Sequence, residues 1–371
     1  MKTAFLYTEK YFAYDYGASH PLKIERLRLT YDLCGAYGLF DLPDADLIET
    51  RAASESEILR FHTPDYVEVL KRAGCGKISG SLSYGLGPGD NPVFPGLWEW
   101  SRLHTGASLQ SAQLVSEGRA RVAFNIAGGL HHAGAKRASG FCYVNDPVLA
   151  IYHFRDQGKR VMYLDIDAHH GDGVQWAFYE DPTVLTISFH QEGRTLFPGT
   201  GALNETGRGE GAGYCVNVPM LAGSDDHVFR EGFGLVVPRL MEAFKPEVVV
   251  SQLGVDTFSD DPLAALELTT NGFCRAVAYL AEHAPAWVAL GGGGYIPSNV
   301  ARAWTMAWAV MNGVVLPDDL PEEMVRHRAA LGGPGKRLRD PEHKSPWQEQ
   351  CLKHMQECLR YLEKRVFPKI V

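Results

Sequence analysis

The sequence predicts an α/β protein built on a mostly parallel sheet with helices on both faces. Three observations carry this expectation. Continuous apolar runs recur, as in "RVAFNIAGG" at 121, "VMYLDID" at 161, "VLTISFH" at 184, "EVVVSQLGVD" at 247 and "WVALGGGG" at 287. They do not alternate with polar residues, which is how strands buried on both faces read. Between them lie segments with helical character, and strand–helix alternation of this kind points to a parallel sheet. Each run also ends in Gly, Asp or His, and in parallel sheets the ligand crevice lies beyond the carboxyl ends of the strands.

In chain order, the N-terminal "MKTAFLYTEKYFAYDYG" lacks the long apolar core of a signal peptide, and no run approaches membrane-spanning length. The segment "NDPVLAIYHFRDQGK" at 145 reads as a helix, as does "TTNGFCRAVAYLAEHA" at 269. The stretch 313–346, rich in Pro, Gly and charge, reads as loop with one short helix. In "WQEQCLKHMQECLRYLEKRV" at 347 the apolar residues fall near helical spacing, giving a terminal amphipathic helix docked on the core. No internal repeat is visible, and one domain over 1–371 is expected.

Of the 371 residues 45% are hydrophobic and 22% charged, an ordinary globular composition. A net charge of -8 argues against nucleic acid as a partner and suits a soluble enzyme, one that can meet a basic substrate. Seven scattered cysteines without a Cys-x-x-Cys pair speak against a disulfide framework or a thiolate zinc knuckle. A reducing, cytoplasmic location fits, with no membrane association.

The chemistry concentrates in "LDIDAHHGDGV" at 164–174. Three aspartates and two histidines directly after an apolar strand are costly to bury unless paired or bound to a cation. Residues two apart on a strand point to one side, so Asp165, Asp167 and His169 converge at the strand end. Asp and His suit a zinc-like divalent cation. Asp-x-His supplies two ligands, and Asp256, ending "VVVSQLGVD", is the candidate third; a helix N-cap or turn role is its alternative. Tandem histidines in "GGLHHAG", His131 and His132, suit acid/base work better than double ligation, with Asp165 and Asp172 as spare carboxylates to orient them. A plain core histidine is the competing reading for one of the pair.

"LGGGGY" at 290 fails the dinucleotide and phosphate-loop spacings. Its glycines instead let the backbone approach a ligand and present Tyr295, whose hydroxyl suits a developing oxyanion. Phe141 in "SGFCYVND" and Phe197 in "TLFPGTG" would wall a narrow slot, although each alone is as readily core. Residue patterns alone thus reach a metal-assisted hydrolase and stop short of a substrate.

Taken together, "HPLKIERLRLTYDL" at 20, "DNPVFPGLWEW" at 90, "GGLHHAGAKRASGFCYVND" at 128, "LDIDAHHGDGVQWAFY" at 164, "SFHQEGRTLFPGTG" at 188, "QLGVDTFSDDPL" at 252 and "LGGGGYIPSNVARAWT" at 290 resemble the zinc-dependent histone deacetylase family. The likeness runs in order from about 20 to 312, strongest to the class I branch and bacterial deacetylase-like proteins. That superfamily includes acetylpolyamine amidohydrolases and acetoin-utilization proteins.

The resemblance implies an arginase-like domain around an eight-stranded sheet, with Asp167, His169 and Asp256 as zinc ligands. It implies His132 as proton shuttle, His131 as its electrostatic partner, Asp165 and Asp172 as the carboxylates behind them, and Tyr295 as the group that polarises the carbonyl. It further implies a potassium site at Asp165, Asp167, His169, Ser188 and Phe189, and a second at Phe178, Asp181, Val184 and Tyr214. Asp90, Gly140, Phe141, Phe197, Leu263 and Gly293 would meet the substrate, and Arg26 would line an internal cavity beneath the zinc.

Leu263 stands where polyamine-selective members carry an acid, which favours an acyl-lysine protein or peptide over a small acylated amine, although Asp260 or Asp261 offers a neighbouring carboxylate. Lysine deacylase, small-molecule amidohydrolase and acyl-lysine-binding module are the three functions carried forward. A homo-oligomer is compatible with the surface loops.

Overall fold

The computed structural model describes residues 2–322 and 337–370. Eight strands, all parallel, form one sheet in the order β2-β1-β3-β8-β7-β4-β5-β6, so the predicted fold class is what the chain adopts. They are β1 (Thr3–Tyr7), β2 (Ala45–Glu49), β3 (Val122–Asn125), β4 (Val161–Asp165), β5 (Val184–Gln191), β6 (Cys215–Met220), β7 (Val248–Gln252) and β8 (Trp287–Leu290).

The apolar runs are continuous because both faces are covered. On β4, Met162 and Leu164 enter one hydrophobic cluster while Val161 and Tyr163 enter another across the sheet. Each such side chain contributes about 1.5–3 kcal/mol when buried. The edge strand β2 differs, with three of its five residues exposed.

The helix expected at 145 spans Asp146–Arg155, and the Asn145 side chain caps it by accepting the Val148 N–H. The helix expected at 269 spans Thr270–His283, capped by Thr269. The terminal helix, Gln348–Arg365, buries Cys351, Met355, Cys358, Leu359 and Leu362 against the helix Asp226–Phe244 and β6, so it docks on the core. The short helix expected within 313–346 lies outside the described residues. All seven cysteines are unpaired.

The four central strands matter most for function. β3 and β4 flank the β8–β7 pair, so the chain steps over two strands between them. The loops leaving the carboxyl ends of these four strands carry His131–His132, Asp167–His169, Asp256 and Tyr295. Among the described residues no helix is long and apolar enough to cross a membrane.

Candidate active site

Asp167, His169 and Asp256 come together, all buried, with one ligand atom from each lying within 4.8 Å of the others. His169 Nδ1 stands 3.1 Å from Asp167 Oδ1 and 2.9 Å from Asp256 Oδ2. The Asp256 carboxylate is steered by the Ala168 N–H at 2.8 Å. Asp167 Oδ2 accepts from the Gln252 side-chain amide at 2.6 Å and from the Gly293 N–H at 2.8 Å. Neither of these supports was read from the sequence, since each approaches from a different strand.

Two fully buried carboxylates this close repel each other. Burial and then the Asp167 charge push Asp256 up to about 6. Burial opposes ionisation of Asp167 too, but the charges of His131 and His169 and its hydrogen bonds hold it well below the usual carboxylate range. A dicarboxylate–imidazole donor set, with no lysine or arginine among these contacts, fits a divalent cation of the zinc type.

Asp165 does not join this cluster. Its Oδ2 accepts from the Tyr163 hydroxyl at 2.6 Å and faces His131 Nδ1 at 2.7 Å, while Oδ1 accepts from the Asp167 N–H. Convergence predicted from strand spacing therefore holds only for the pair 167 and 169, because β4 ends at Asp165. His132 Nδ1 faces Asp172 Oδ1 at 2.7 Å, and the two imidazoles meet Nε2 to Nε2 at 3.0 Å. Burial lowers His131, but Asp165 and Asp167 outweigh it and lift the ring to about 9. Burial and the His131 charge push His132 below the ordinary histidine value. His170 turns away to Thr200 and Gln175.

The tandem-histidine loop is held by the next motif along. Asn145 Nδ2 donates to the carbonyls of His131 and Ala133, both at 2.9 Å. The Asp146 carboxylate accepts the N–H groups of Gly129 and Leu130 at 3.0 and 2.9 Å. Their roles were not visible beforehand, although both belong to the "SGFCYVND" stretch.

A cavity of about 200 Å³ opens above the ligand cluster, lined by Asp90, His132, Gly140, Phe141, His169, Leu196, Phe197, Leu263 and Tyr295. Phe141 packs edge-on to Tyr295 at 5.6 Å, and Phe197 packs edge-on to His132 at 5.0 Å. Phe141 holds a φ of 68°, a left-handed conformation that costs a bulky side chain energy, and its carbonyl is fixed by the Tyr16 hydroxyl at 3.1 Å. Asp90 is exposed at the rim, its carbonyl bonded to His20 at 3.2 Å. Leu196 is a wall residue that sequence reasoning passed over beside the more conspicuous Phe197. Gly293 lies under the ligands and is not among the lining residues.

Arg26 is buried, donates to the Gly294 carbonyl at 2.9 Å, and lies over the Trp304 ring at 5.2 Å. Its Nε has no hydrogen-bond partner. Ser188 lies in register with Asp165 on the neighbouring strand, followed by Phe189. Phe178, Asp181 and Val184 form the turn into β5, and Tyr214 borders it through its carbonyl, which accepts the Thr186 N–H.

Comparison with protein families matches residues 20–311 to the histone deacetylase domain. The chain is similar to the acetoin utilization protein AcuC of Bacillus subtilis (strain 168), with 41% identity over 332 residues, 87% of this chain and 85% of that one. Histone deacetylase RPD3 of Saccharomyces cerevisiae shares 40% over 324 residues, 86% of this chain and 74% of the relative. Among solved structures, an HDAC homolog from Aquifex aeolicus superposes with a TM-score of 0.88 at 35% identity, covering 97% of this chain and all of that one. An HDAC homolog complexed with SAHA matches equally, with a TM-score of 0.88.

Proposed function

Because this chain belongs to the histone deacetylase family, whose domain spans its residues 20–311, we propose that it is a zinc-dependent amidohydrolase that removes acyl groups from lysine side chains of proteins or peptides. The observation that carries this reading is that the cluster of Asp167, His169 and Asp256 reaches a narrow aromatic-walled cavity through His169, with His132 and Tyr295 lining the same space.

Asp167, His169 and Asp256 would hold the zinc, which when bound polarises the amide carbonyl and acidifies a water molecule. His132 exchanges the proton. Its Nδ1 is committed to Asp172, so Nε2, which at rest stands 3.0 Å from His131 Nε2, is the nitrogen that takes the proton of the attacking water and returns it to the leaving amine. Asp172 fixes the tautomer and steadies the imidazolium. His131 stays protonated between Asp165 and His132 and holds positive charge beside the reacting centre. Tyr295 donates its hydroxyl to the developing oxyanion; burial and then the Asp256 and Asp167 charges raise its pKa far above 10, so the donor is kept protonated. Phe141 and Phe197 sandwich the apolar stem of a lysine side chain, and Asp90 meets the substrate backbone at the rim.

Potassium is the cofactor proposed for the two sites at Asp165 and Asp181, where a monovalent cation would offset buried negative charge. Arg26, buried with an unpartnered Nε, would meet a small carboxylate product beneath the floor.

Leu263, apolar at the wall, favours acyl-lysine over acylated polyamine. Of the two neighbouring acids, Asp261 is buried and turned inward, while Asp260 is exposed and accepts from the Asn299 amide at 2.6 Å. The test is turnover of acetyl-lysine peptides against acetylputrescine by the zinc-loaded protein. Preferential peptide hydrolysis supports the reading; preference for the polyamine moves the substrate to small molecules, and binding without turnover supports an acyl-lysine-binding module.

A further inference from the structure

Asp261 has no place in the reaction above, yet it is among the most constrained carboxylates of the chain. It is 7% exposed. Its Oδ2 accepts the Tyr295 N–H at 2.8 Å and its Oδ1 accepts the Leu263 N–H at 3.0 Å. It makes no ion pair with a lysine or arginine among the described residues, and burial followed by the Asp256 charge raises its pKa to about 8. A carboxyl group buried in this way is expensive, and the geometry of its two oxygens is what distinguishes it. A turn alone does not require one, since a neutral acceptor satisfies one N–H just as well. The pair of oxygens does something a single acceptor cannot, which is to take N–H groups from two different loops at once.

Those loops carry the two poles of the oxyanion site. One leaves β7 and bears Asp256, Asp261 and Leu263; the other leaves β8 and bears Gly293 and Tyr295. They are braced at their bases by the Val255 N–H on the Gly293 carbonyl at 3.0 Å, and further out by Asn299 on Asp260. At the level of Tyr295 itself, the bond to Asp261 is the hydrogen bond that joins them. Resting on the function proposed above, we infer that Asp261 is a positioning residue: it locks the Tyr295 hydroxyl to the loop that supplies the ligand Asp256, so that oxyanion donor and metal site keep one spacing. Through Leu263 the same carboxylate fixes the facing wall of the cavity. Placement matters here because misplacing a reacting group by about 1 Å costs on the order of 100-fold in rate.

The test is a double-mutant cycle with D261N and Y295F on an acetyl-lysine peptide. Asparagine keeps the shape but turns an NH2 toward one of the two N–H groups. D261N is expected to lower kcat on the order of 10-fold with KM changed by less than about twofold. In the Y295F background the same substitution is expected to cost less than about twofold, because the group it positions is gone. Equal losses in both backgrounds, or a change confined to KM, overturn the inference while leaving the proposed function intact. An active Y295F protein of full rate overturns the role of Tyr295 and the inference with it. Independently of whether D261N folds, the Tyr295 amide of the unaltered protein is expected to exchange with solvent slowly, and fast exchange overturns the clamp.

Discussion

The imidazoles of His131 and His132 meet Nε2 to Nε2 at 3.0 Å. Each is backed on its far nitrogen by a carboxylate at 2.7 Å, Asp165 behind one and Asp172 behind the other. Two ring nitrogens at that distance need one proton between them, and the surroundings decide its owner. His131 has two carboxylates raising it to about 9, whereas burial and a charged neighbour lower His132. His131 therefore carries the proton and His132 stays neutral. The two adjacent residues have different chemistry because their partners differ.

This asymmetry fixes the sign of the pH dependence. A general base works unprotonated, and a lowered pKa keeps His132 unprotonated into more acidic solution. The acid limb of kcat/KM is expected to have its midpoint below 6.5, the ordinary histidine value. D172N removes the charge that favours the imidazolium, so the limb moves lower still while kcat falls, by about 100-fold if the proton transfer is lost. A pH–rate profile of both proteins checks this, and a midpoint above 7 in the unaltered enzyme contradicts it.

Gly293 is a structural requirement of the metal site. A Cβ there would lie 2.7 Å from Asp167 Oδ2 and collide with the Asp256 carboxylate. G293A is expected to weaken zinc binding at least 10-fold, measured by competition with a chelating dye. Unchanged affinity would place the glycine's importance elsewhere.

Metal should also act as a folding ligand, because the ligands are buried and two are carboxylates. Zinc at 100 times its dissociation constant stabilises a folded state by about 2.7 kcal/mol. Calorimetry is expected to show an upward shift in Tm on zinc addition to the chelator-treated protein, absent in D256A. An equal shift in both proteins would point to another site.

Much of this arrangement was legible beforehand. β3, β4, β5, β7 and β8 announced themselves as continuous apolar runs because both faces are buried, and their terminal Asp, His and Gly marked the functional edge. β2 gave no such signal, being an exposed edge, and β6 was hidden by the Asn217 and Pro219 within it. The part of the site that follows chain order, Asp167 with His169 and His131 with His132, could be read directly. Contacts made across strands could not. Gln252 on Asp167, Asn145 on the His131 carbonyl and Asp261 on the Tyr295 amide join residues 85, 14 and 34 positions apart. Asp165 shows the same limit, since spacing grouped it with the ligands while its partner His131 lies 34 positions away.

The most direct test of the central claim is zinc content and acetate release measured together on an acetyl-lysine peptide, for the unaltered protein and for D256A. One zinc per chain with steady acetate release, both lost in D256A, is the predicted result. Undiminished acetate release from a D256A protein that holds no zinc would contradict the claim that Asp167, His169 and Asp256 form the centre at which the amide is broken.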